Sequence, residues 1–195
     1  MIDKEILGAL SVGMGVLGTG LYFFGLWQKT TRPHFFTWLI WGALTIIAFA
    51  AQVVSGAGPG AWAMGFTAFS CCIIAVISLI IGEKNITKTD LMALIAAVLS
   101  LIAWYLTDDP LWSIIIVTAV DALGFYPTFR KSWSSPWAEP LLSYLIAGLK
   151  FIPALMALEI FNWTTALYPA SLVILNNGFV LLLLYRRQKV NKPAI

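Results

Sequence analysis

Seven apolar stretches divide this chain, and they restrict its fold more than any other feature. They cover residues 6–27, 35–55, 61–82, 91–107, 111–129, 140–160 and 164–185. A helix needs about 17–25 apolar residues to cross the hydrocarbon layer of a bilayer. Backbone groups in lipid must pair within their own segment, so helices are the form open to runs this long. Composition points the same way, with 60% hydrophobic and only 11% charged residues, against about 25% charged in an ordinary globular domain. The expected fold class is an all-α integral membrane protein with seven transmembrane helices. A signal peptide does not explain the first run, which is too long, has Lys4 as its one basic flank, and is followed by a polar turn that is no cleavage site. Its many glycines are expected to let neighbouring helices approach closely.

The loops give an orientation. Lys29, Arg32, Lys84, Lys88, Arg130, Lys131, Arg186, Arg187, Lys189 and Lys192 all fall on one face of a seven-span layout, while the other face has Lys4. The positive-inside rule then predicts a cytoplasmic C-terminus and an external N-terminus, in the cell (inner) membrane. The net charge of +3 carries no basic cluster interleaved with exposed aromatics, so nucleic acid is not an expected partner. Adjacent Cys71 and Cys72 offer neither a disulfide framework nor metal-ligand spacing. His34 stands alone in a loop. No Ser/His/Asp set, paired acids, glycine-rich phosphate loop or metal cluster is legible. The expectation is therefore no enzyme, no cofactor and no metal. The expected partners are a small-molecule solute and the lipid bilayer, and the sequence leaves homo-oligomers open.

The chain also repeats itself at an offset of 102 to 104 residues. At 103, Tyr22 falls on Phe125, Pro33 on Pro136, Trp41 on Tyr144 and Ala61 on Thr164. The division is a first three-helix unit (1–82), a linker helix (83–110, helix 91–107), a second three-helix unit (111–187) and a tail (188–195). An odd number of helices separates the copies, so they point the same way across the membrane. Such an arrangement is expected to hold a solute site between the units near mid-membrane.

The segment Y-P-T-F-R-K, from Tyr126 to Lys131, closes the fifth run. With the 3+1+3 layout and an external N-terminus, it resembles the SWEET and PQ-loop (MtN3-like) transporter superfamily. That family carries a proline, commonly followed by glutamine, at the end of the first helix of each unit, with a basic residue soon after. Pro127 and Lys131 fit it, while Thr128 replaces the glutamine. The first unit lacks the proline and has Phe24 or Gly25 there. The nicotinamide riboside transporter family shares the layout and is the related alternative. The resemblance implies a SWEET-like fold and carriage of a small polar solute.

Several residues are candidates for that work. Asp121 is the one acid well inside an apolar run, where a bare charge costs at least about 2.5–3.5 kcal/mol. It is expected to face the bundle interior, and it is the candidate for proton coupling. Lys150, inside the sixth run, is the expected partner in an ion pair that lines a cavity or fixes two helices. On the second run, Trp38, Trp41, Thr45, Ala48 and Gln52 share a helical face. That face suits a sugar or flat ring, although Trp38 and Trp41 also suit the interfacial aromatic belt. Tyr144 is the counterpart of Trp41. Asn176 and Asn177 point about 100° apart, so one of them is expected to face the cavity. The resemblance implies that an asparagine of a unit's last helix binds solute. Pro127 and Pro153 are candidate hinges, and Pro169 is a third helix proline.

The leading expectation is a facilitator or proton-coupled carrier of a sugar, amino acid or nucleoside, working by alternating access. A membrane receptor of the same fold and a structural or assembly protein are the alternatives. A retinal Schiff base on Lys150 fits poorly, because that lysine lies in the sixth run rather than the last.

Overall fold

The computed structural model describes residues 3–29, 33, 35–82, 88–134, 136–138 and 141–191. These form eight α-helices: α1 (Lys4–Trp27), α2 (Phe35–Val54), α3 (Trp62–Ile81), α4 (Lys88–Thr107), α5 (Pro110–Ser134), α6 (Leu141–Leu149), α7 (Phe151–Met156) and α8 (Trp163–Arg187). Short 3-10 turns at Gly58–Ala61 and Pro136–Ala138 accompany them. Four segments are long and apolar enough to cross a membrane: Lys4–Trp27, Thr37–Val54, Gly58–Ile81 and Trp163–Arg187. Three shorter apolar helices lie at Leu94–Thr107, Pro110–Phe125 and Leu141–Met156.

Local chemistry sets the helix ends. Asp3 caps α1 by accepting the Glu5 amide at 2.9 Å, satisfying one of the donors every helix N-terminus leaves open. Asp109 accepts the Leu111 amide in the same way at 2.9 Å, with Pro110 at the tolerant first position. Asn162 and Thr165 form a reciprocal capping box at the start of α8.

The sixth apolar run is not the single helix 140–160 that hydropathy suggests. It divides into α6 and α7 at Lys150 and ends at Met156. Pro153 is the cause: it has no N–H for the Leu149 carbonyl, and its ring crowds that carbonyl. The fifth run differs in the other direction, with helix continuing to Ser134 through the stretch expected to be a loop from Arg130. The backbone of Pro127 runs within α5, while its side chain, like His34 and Pro140, lies outside the described residues.

Helix packing has a regular pattern. α3 lies against both α1 and α2, and α8 lies against α5 and against α6 and α7. Between these groups, α1 meets α6 and α7, while α2 meets α5. α4 covers α5 and α2, and is tied to α5 where Ser113 donates to the Ser100 carbonyl at 2.6 Å, both residues being fully buried. The main core gathers where α2, α5 and α8 converge, around Leu44, Ile47, Ala48, Ile114, Val117 and Tyr168. Large apolar side chains such as Leu17, Ile80, Leu123 and Ile174 cover the outside. A monomer in water rarely exposes so continuous an apolar surface.

One end of the assembly is sealed by two turns that bond to each other. The Glu159 amide donates to the Ala57 carbonyl at 3.1 Å, and the Ile160 amide to the Gly56 carbonyl at 3.2 Å. Gly56 and Gly58 have φ of 74° and 57°, the left-handed region that glycine enters without steric cost. Lys4 Nζ donates to the Leu158 carbonyl at 2.7 Å, drawing the start of α1 onto the same seal. Gln52 Nε2 reaches the Thr165 carbonyl at 2.7 Å.

Candidate functional site

Behind this seal lies a cavity of about 440 Å³, walled by α1, α2, α3, α5, α6, α7 and α8. Its lining runs from mid-helix positions to Pro33 and Ser143 at the opposite end, and no residue of the sealing turns contributes to it. Helix α1 forms one wall closely: a Cβ on Gly15 would stand 2.8 Å from Phe66, and one on Gly18 would stand 3.1 Å from Ile146.

Two opposite charges line this one cavity. Asp121 comes from the middle of α5 and is 4% exposed, and its Oδ2 is buried without a hydrogen-bond partner. Lys150 comes from the break between α6 and α7. Its ammonium donates to Thr67 Oγ1 on α3 at 2.9 Å and stands 4.9 Å from the Phe151 ring centroid. Thr67 gives its own proton to the Ala63 carbonyl at 2.7 Å, so it offers Lys150 a lone pair. The direct Asp121–Lys150 ion pair expected from the sequence is not formed, because the ammonium turns across the bundle to α3 instead. That leaves both charges facing the cavity.

Aromatic rings and amides complete the walls. Trp38 Nε1 donates to Tyr22 Oη at 3.1 Å, with ring centroids 4.9 Å apart. Trp38 packs edge-on against Trp41 with centroids 5.3 Å apart. On the facing side, Tyr144 packs against Phe179 at 4.6 Å. Asn176 lines the cavity and donates to the Leu172 carbonyl at 2.8 Å, which leaves its amide oxygen as an acceptor.

Of the residues singled out from the sequence, Trp38, Trp41, Asp121, Tyr144, Lys150 and Asn176 come together around this space. Gln52 and Asn177 do not line it. Gln52 lies about two turns beyond Thr45 on α2, inside the sealed end, where Pro169 frees the Thr165 carbonyl that its amide binds. Asn177 donates to the Val173 carbonyl at 2.8 Å and packs against α6 at Gly148. Pro153 is buried behind the break at Lys150.

Sequence reasoning missed Tyr22, Thr67 and Ser70 as wall residues. Tyr22 carried a signal in the offset of 103 that sets it on Phe125, which also lines the cavity. Thr67, Ser70 and Cys71 carried another: small polar or soft side chains three and four apart on one face of an apolar helix. Among the described residues no group of His, Cys, Asp or Glu is placed to hold a metal.

Comparison of the chain with protein-family models, with curated proteins and with solved structures finds no match.

Proposed function

We propose that this protein is a membrane carrier that moves a small polar solute by alternating access between two three-helix units. The observation that carries the reading is the cavity itself: it lies between the helix groups, is sealed at one end, and is lined by Asp121, Lys150 and Asn176. Charges at such depth in an apolar bundle mark solute or ion pathways more often than they serve stability.

Counting α4, α5 and the broken α6–α7 with the four long helices gives seven spans. The helix contacts support a repeated unit. In each group the third helix lies between the other two, and the first helix of each group meets the second of the other. This is the pattern a pseudo-two-fold axis along the membrane normal produces. Lys150 at a break in a span also suits a carrier, since transporters place solute sites at discontinuous helices. The loop charges put the end near Pro33 and Ser143 in the cytoplasm, so the cavity faces inward. In this reading the protein is a SWEET-like, multi-pass protein of the cell membrane, without catalytic activity. Asp121 is its proton-coupling candidate, and Pro127 and Pro153 are its hinges.

The test is flux of a panel of labelled sugars, amino acids and nucleosides into proteoliposomes. Uptake that disappears in the Asp121→Asn, Lys150→Met double variant supports the reading, and normal uptake in that variant removes the site. Saturable binding with no flux makes the protein a receptor. Neither activity, with one membrane protein always co-purifying, makes it an assembly factor.

A further inference from the structure

We infer that the solute is a zwitterion of the amino-acid type, with its cationic group at Asp121 and its anionic group at Lys150. This rests on the carrier reading above and names the solute class of the same cavity.

The argument begins with two charges that share a cavity yet do not satisfy one another. Asp121 Oδ2 is buried with no donor in reach, and a desolvated carboxylate without a partner is strongly disfavoured. Lys150 has three donors, and Thr67 takes one of them. A neutral sugar brings hydroxyls but no charge to either group. A simple cation meets Asp121 and is repelled by Lys150, and a simple anion meets the reverse. Only a solute with both signs completes both groups, and charge-assisted hydrogen bonds are the stronger kind. The remaining walls suit the rest of such a molecule. Trp41 and Tyr144 offer apolar faces to a side chain, and the Asn176 amide oxygen can accept from an ammonium. The volume of about 440 Å³ is ample for a single amino acid.

The experiment compares one zwitterion with its two halves. Purified protein in detergent is titrated with phenylalanine, hydrocinnamate (the anion alone) and phenethylamine (the cation alone), with melting temperature as readout. Leucine, γ-aminobutyrate and ε-aminocaproate vary the distance between the charges. At least one zwitterion is expected to bind at least about tenfold more tightly than either half. Asp121→Asn is expected to abolish the preference over the anion, and Lys150→Met the preference over the cation. Should either variant fail to fold, the wild-type series decides alone. Equal binding of a half-molecule, or no shift with any zwitterion of the series, overturns the inference. If glucose or uridine binds and crosses proteoliposomes while zwitterions do neither, the solute class is wrong and the carrier reading stands. If a zwitterion binds but does not cross, the charge assignment stands and the carrier reading falls.

Discussion

Gln52 Nε2 on α2 donates 2.7 Å to the Thr165 carbonyl on α8, the carbonyl that Pro169 leaves without a helical donor. The carbonyl that a proline leaves open in one helix is thereby paired by a side chain from another. Gln52 is 1% exposed, so no water replaces it easily. Gln52→Leu is expected to cost about 1–3 kcal/mol by stranding that carbonyl. Pro169→Ala restores an N–H within α8, so the double variant should lose less than Gln52→Leu alone. Thermal unfolding in detergent checks this, and strict additivity of the two substitutions would argue against the coupling.

The two adjacent asparagines of α8 are expected to behave differently. Asn176 lines the cavity and Asn177 packs against Gly148 outside it. Asn176→Ala should weaken solute binding about fivefold, the worth of one net hydrogen bond. Asn177→Ala should leave affinity within about twofold and instead lower the melting temperature through its lost contact with α6. Equal affinity losses from the two would mean that α8 presents both amides to the solute.

The seal depends on backbone that only glycine adopts freely. Gly58 has φ 57° and the Glu159 side chain folded against it. Gly58→Ala is expected to cost about 1–2 kcal/mol in backbone strain alone and to loosen the Ala57–Glu159 hydrogen bond. Faster hydrogen exchange at the Glu159 and Ile160 amides, with little change in the α4 amides, is the expected signature. Unchanged exchange at those amides would separate Gly58 from the seal.

Orientation can be read by labelling. Phe161 is exposed beside the seal, and Ser143 lines the other end of the cavity. In a background lacking Cys71 and Cys72, Phe161→Cys should react with a membrane-impermeant thiol reagent from outside the cell. Ser143→Cys should react in inverted vesicles. Labelling of both from one side would contradict the proposed inward-facing, seven-span arrangement.

Much of the fold was legible because hydropathy and charge act locally. Run length predicted the apolar helices to within a few residues at most ends, since hydropathy is written in consecutive side chains. The division at Lys150 was less accessible: Pro153 was visible as a proline, but where its freed carbonyl breaks the helix depends on the surrounding packing. The site was half legible. Asp121 and Lys150 stood out because charge within an apolar run is costly, Trp41 because it shares a helical face with Thr45, and Tyr144 as the residue 103 positions beyond Trp41.

The tertiary structure decided the partners. Sequence identified Asp121 and Lys150 as charges that need company, but only complementary sign and a similar depth along their runs made them partners of each other. Packing of α3 against α1 and α2 brings Thr67 to Lys150 instead, and leaves Asp121 on the cavity wall with its Oδ2 unpaired. Likewise the helical spacing put Gln52 on the face of Trp41, but the length of that face exceeds the depth of the cavity, and its far end belongs to the seal. Sequence by itself determined which groups are costly to bury, because that cost belongs to each residue's own chemistry. Only the fold determined what relieves it, because relief comes from atoms more than eighty positions away along the chain for Lys150 and more than a hundred for Thr165.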